Sequence, residues 1–144
     1  MSTGALRPED LRKIAEEAEM AKLREALARN KRTEDHEHEL REAFMSGDVR
    51  PDVMDRVNAA VRNAAQQNRS ELLALLRFPA EYCLDKGRAI NNGEPDWPQT
   101  LQGRAKKAFE FYEQNLKDLG YKVRAEIMSY PDGNLGEVGV YLRW

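Results

Sequence analysis

The chain has 144 residues, 33% of them charged, with a formal net charge of −2 and one cysteine. Its mean hydropathy is −0.77 and its pI is near 5.8, so it lacks the overall basic footprint common in binders of nucleic acid or anionic membranes. One cysteine excludes an intramolecular disulfide. No stretch is apolar and long enough to span a membrane, and "MSTGALRPEDLRK" has no signal-peptide core, so a cytoplasmic location is expected.

The length predicts one compact domain with an appended arm. The pattern places a charged helical arm at residues 1–46 and a compact helical domain ending in an α-β-β unit at 47–144. Within the arm, residues 8 to about 46 read as helical. Pro8 suits a first helical position, and Glu9 and Asp10 complement the positive end of the helix dipole. Leu11, Ile14, Ala18 and Ala21 recur at helical spacing, as do Met20, Leu23 and Leu27 on an adjoining strip. Glu9–Lys13 and Glu25–Arg29 are favourable i,i+4 pairs. Through "ARNKRTEDHEHE" (28–39) the stripe disappears, to resume at Leu40, Ala43 and Phe44 before "SGD" stops it. Either one long helix with a solvated middle or two helices meeting near Asn30–Thr33 fits this pattern.

"DVRPDVMDRVNAAVRNAAQQ" predicts a second helix opened by Pro51, burying Val53, Val57, Ala60, Val61 and Ala64. A break is expected at "NRS". Ser70 then caps a short helix over 70–77, "ELLALLRF", whose apolar residues lie nearly all round and suggest burial. Pro79 starts a further helix, "PAEYCLDKGRAI", which "NNG" ends. In the linker "GEPDWPQT", Trp97 is read as a plug at the core edge. A helix from about Pro98 to Leu119 presents Leu101, Ala105, Ala108, Phe109, Tyr112, Leu116 and Leu119 on one face. Gly120 follows as a left-handed cap.

The last 24 residues read as a β-hairpin. Apolar residues occupy odd positions in "YKVRAEIMSY" and even positions in "GEVGVYLRW". A two-residue type I′ turn at Asp132-Gly133 pairs the two sets, placing Val123 opposite Leu142, Ala125 opposite Val140 and Ile127 opposite Val138. One face of this hairpin suits the helix ending at Gly120. The other sets Lys122 opposite Arg143 and Arg124 opposite Tyr141, giving either a solvated polar face or an acceptor for an acidic or phosphate-bearing partner. Both strand edges lack a blunting proline and are read as open.

No catalytic constellation emerges. His36 and His38 are two residues apart on a helix and cannot chelate one ion together, and His38 with Glu34 supplies only two ligands. Cys83 reads as a buried core cysteine, and the glycines at 133, 136 and 139 spell no phosphate-binding loop. Neither a cofactor nor a metal is indicated, and the balance of residues points away from an enzyme.

The fold expected is therefore α+β and mostly helical, with four to five helices and a C-terminal antiparallel hairpin packed on the last helix. The function expected is that of a non-catalytic interaction or regulatory protein whose partner is another protein or a second copy of itself. Self-association would use the N-terminal helix or the hairpin edge. The alternative is a nucleic-acid-binding regulator using Arg104, Lys106, Lys107, Lys122, Arg124, Tyr141 and Arg143. The 70–77 helix, the "RFP" turn and the helix bearing Lys86 and Arg88 loosely suggest helix-turn-helix spacing, with the hairpin as a wing. Asp85, Glu81 and the acidic total weigh against that alternative.

Overall fold

A computed structural model describes residues 4–144, with only the backbone described at Leu73 and Ala74. The protein is α+β and mostly helical. Its elements are α1 (Pro8–Met45), α2 (Val53–Gln66), β1 (Glu71–Pro79), α3 (Arg88–Asn91), α4 (Gly103–Asn115), β2 (Lys122–Ile127) and β3 (Glu137–Arg143). The chain divides into two units, Met1–Arg41 and Glu42–Trp144.

In the first unit the backbone forms one uninterrupted helix, which continues to Met45. At its start the Asp10 carboxylate accepts the Arg7 N–H at 3.2 Å. This is the reciprocal half of a capping box, and it satisfies a donor that the helix leaves unpaired. No break occurs at Asn30–Thr33; the Thr33 hydroxyl donates to the Arg29 carbonyl at 3.0 Å within the helix. The Ala-, Glu-, Lys-, Arg- and Leu-rich composition favours helix at nearly every position, and 38 residues far exceed the roughly 12–15 below which an isolated helix is marginal.

The second unit is built on a three-stranded antiparallel sheet of order β1-β3-β2. The hairpin register is the one the hydrophobic pattern predicts: Val123 pairs with Leu142, Ala125 with Val140 and Ile127 with Val138. Asp132 (φ 52°) and Gly133 (φ 78°) are both left-handed, and the Asn134 N–H closes on the Pro131 carbonyl at 2.9 Å. These are the dihedrals and hydrogen bond of a type I′ turn.

β3 is the central strand, not half of an isolated hairpin, because residues 71–79 pair along its other side. "ELLALLRF" is therefore a strand and not the helix expected at 70–77, and the Ser70 carbonyl accepts the Trp144 N–H at 3.0 Å. A short run apolar all round fits either state, and the unpaired edge of β3 decides it. Residues 73–75 oppose Tyr141 alone, since Leu72 pairs with Leu142 and Leu76 with Val140. Two extra residues leave the pleat in phase, so Leu72, Leu76 and Phe78 all point to the core face.

Two helical expectations also change. Over 79–90 there is no single helix, only a 3-10 turn at Ala80–Tyr82 and the four-residue α3. Lys86 (φ 61°) and Gly87 (φ 90°) are both left-handed and break the run, and Asp85 caps the start of α3 by accepting the Gly87 and Ala89 N–H groups at 3.0 and 2.8 Å. The last helix begins at Gly103 and not Pro98, and a 3-10 turn occupies Trp97–Thr100. Gly103 has φ 55°, and a side chain there would collide with the Phe44 carbonyl. Leu119, expected on the buried face, is 73% exposed because the α-helix has ended at Asn115.

The break after α2 falls where expected. Asn68 (φ 57°) takes the left-handed position, and the Asn68 and Arg69 N–H groups bond the Ala65 and Ala64 carbonyls, a Schellman closure. Two apolar clusters fill the core face. One gathers Phe44, Phe78, Tyr82, Leu101, Ala105 and Val138, with Trp97 packed at its margin; the other gathers Val57, Ala64, Leu72, Leu116 and Leu142. Trp97 meets Phe109 edge-on at 5.8 Å between centroids.

Candidate functional site

Two surfaces carry the residues of interest: the apolar strips of α1 and the outer face of the sheet. From residue 4 to 41 every side chain is exposed except half-buried Ala26. Leu11, Ile14, Met20, Leu23, Leu27 and Leu40 are each between 49% and 58% exposed. Helical geometry also revises how the strips relate. Met20 follows Ala18 by two residues, about 200° around the axis, so the Leu11–Ala21 strip and the Met20–Leu27 strip lie on nearly opposite sides and do not adjoin.

On the outer face of the sheet, Arg124 is the hub. Its Nη2 and Nε donate to the two oxygens of Glu71 at 2.7 and 2.9 Å, and Nη1 donates to Glu126 at 3.0 Å. The guanidinium also lies 4.0 Å from the centroid of the Tyr141 ring, a cation–π contact. The Arg124 hydrogen bonds hold the Glu71 carboxyl below its usual range, against a smaller opposing effect of desolvation. Hydrogen bonds from Tyr141 and then Arg124 hold Glu126 down as well. The bond to Glu126 raises the Tyr141 phenol, and the Glu71 bond raises Arg124 further above its already high value. Bidentate pairing of this kind fixes geometry as well as charge, so an incoming anion would have to compete with two carboxylates for Arg124.

The remaining outer-face cations, Lys122 and Arg143, face each other across the ladder. Arg104, Lys106 and Lys107 are exposed on α4, which packs on the core face through Ala105 and Phe109. Lys122, Arg124, Tyr141 and Arg143 alternate with core-face residues and so occupy the opposite side of the sheet. The structure thus brings Arg124 and Tyr141 together, with Lys122 and Arg143 at the adjoining ladder positions, and separates this group from the α4 cations. Glu71, the principal partner of Arg124, was invisible to sequence reasoning that placed it at the start of a helix. Its one signal was that the even positions Leu72, Leu76 and Phe78 are apolar and Glu71 and Arg77 are not.

The helix-turn-helix spacing disappears with the 70–77 helix. Cys83 is 2% exposed, and burial, with Asp85 nearby, pushes its thiol up to about 11 despite a hydrogen bond with Thr100. It is therefore protonated at neutral pH and a poor nucleophile. Among the described residues no three His, Cys, Asp or Glu side chains converge to hold a metal ion, and no helix is long and apolar enough to cross a membrane. In comparisons with known proteins, no family model, curated protein or solved structure matches the chain.

Proposed function

We propose that the protein is a non-catalytic interaction or regulatory protein that self-associates through α1. The observation carrying this reading is the row of half-exposed Leu, Ile and Met side chains along residues 11–27. Covering the exposed half of each large aliphatic side chain contributes roughly 1 kcal/mol, and helices of further copies are partners of matching shape and periodicity. Strips on two sides allow each helix to meet two neighbours. The hairpin is the weaker route, since one edge of β3 already pairs with β1 and only the outer edges of β1 and β2 remain.

Sedimentation of the full chain tests the proposal, with Leu11→Glu/Ile14→Glu and Leu23→Glu/Leu27→Glu as variants that each charge one strip. The unmodified chain is expected to exceed the 16.5 kDa of one copy. Each double variant should lower the mass, and the quadruple variant should sediment as a monomer. A monomeric unmodified chain at high concentration, or variants with unchanged mass, would refute it.

A further inference from the structure

Within residues 42–144 a cleft of about 530 Å³ runs between α2, α4 and the core face of the sheet. That volume lies within the range of small-molecule sites, which are apolar with a few placed polar groups. Leu76, Val140 and Leu142 line it from the sheet, Val53 and Ala60 from α2, and Phe109 from α4. The lining extends along α4 from Arg104, in its first turn, to Leu116 just past its end; at the helical rise this is about 18 Å. The register irregularity in β1 sits at this cleft: Leu75 lines it while remaining 45% exposed.

The charged lining residues are Asp48, Arg50, Arg56 and Arg104. They are confined to one end, on the turn before α2, its first turn and the start of α4. Arg50 and Arg56 share a single carboxylate, Asp52, at 3.3 and 3.2 Å. Arg104 reaches the turn that follows α1, with its Nε beside Gly47 and close to the last carbonyls of that helix, and among the described residues it has no ion pair or hydrogen bond to another side chain. Of the three guanidinium groups that line this end, Arg50 and Arg56 are paired with Asp52, and among the described residues Arg104 alone has no carboxylate partner. The rest of the cleft carries no charge.

We infer that this cleft binds an aliphatic carboxylate, with the chain along the α2–α4 furrow and the carboxylate against Arg104. An elongated apolar cavity fits an extended acyl chain better than a compact ring system. A single guanidinium without a carboxylate partner matches a monoanion, and its fork can donate two hydrogen bonds to one carboxylate. The inference is independent of the role of α1, since every residue used lies in Glu42–Trp144.

Calorimetric titration of the full chain with decanoate, below its micelle threshold, tests this. Decanol, decyl phosphate and decyltrimethylammonium serve as head-group controls. One decanoate per chain is expected, binding about tenfold or more tighter than decanol and tighter than the dianionic phosphate, with the cation weakest. Arg104→Gln, at an exposed position, should reduce decanoate affinity about tenfold and leave decanol unchanged. Ala60→Met should weaken both by filling the furrow. Absence of saturable binding, equal affinity for decanol or the cation, or tighter binding of decyl phosphate would overturn the inference. So would decanoate binding that dissociates the assembled protein, because another copy's helix would then be the occupant.

Discussion

Leu23 in α1 is 53% exposed, and Leu142 in β3 is fully buried. The two regions they represent obey different rules. Residues 8–41 take the conformation their local propensities dictate, and no described residue of that unit covers their apolar strips. In the compact unit, residues 71–79 contradict theirs. Leu and Ala are good helix formers, yet "ELLALLRFP" is a strand because the free side of β3 offers ladder pairing at both ends of the run. Where a helix can satisfy its own backbone, sequence decides locally. Where a strand needs a neighbour, the rest of the fold decides.

The contrast predicts graded responses. The largest belongs to Leu142→Ala, which removes a fully buried side chain of the middle strand and should cost about 2–5 kcal/mol. Urea unfolding followed by tryptophan fluorescence reads this cleanly, since Trp97 and Trp144 both lie in the compact unit. Next comes Gly103→Ala. A left-handed φ and the Phe44 carbonyl both oppose a Cβ there, so a loss above about 1 kcal/mol is expected in the same assay.

Glu71→Gln should cost at most about 1 kcal/mol, because the Arg124 side chain is still 38% exposed and water screens the pair. Its effect should depend on pH. Glu71 and Glu126 titrate below their unfolded values, so their contribution is complete above the usual carboxylate range near 4.5. It is lost as pH falls through the lowered folded values. Unfolding midpoints measured from pH 7 to 3 should converge for the unmodified chain and Glu71→Gln at the acid end. A constant difference would mean that the Glu71 charge is not what stabilises the sheet. The smallest effect is that of Leu23→Ala, which should leave the unfolding free energy of the compact unit within about 0.5 kcal/mol. A larger loss would tie that unit's stability to the strips of α1.

Legibility from the residues alone divides along the same line. The hairpin register was readable because Asp132-Gly133 and the alternating apolar positions are independent signals that agree. The α2 stripe was readable from periodicity and the left-handed Gly120 from glycine chemistry, although Gly120 closes a 3-10 turn at Lys117–Leu119 and not α4 itself. β1 was not, since its partner strand lies far along the chain at 137–143. With β1 hidden, so were the closed edge of β3 and the Glu71–Arg124 pair. The cleft was hidden too, because its walls come from α2, α4 and all three strands. Its charged end rests on Arg104 approaching the turn before α2, a juxtaposition that no spacing encodes.

Backbone hydrogen exchange at rising protein concentration tests the difference between the two regions most directly. Amides of residues 8–41 should gain protection as the chain assembles, while those of β1, β2 and β3 stay equally protected throughout. Protection over residues 8–41 that is independent of concentration, in a chain that remains a monomer, would contradict self-association through α1.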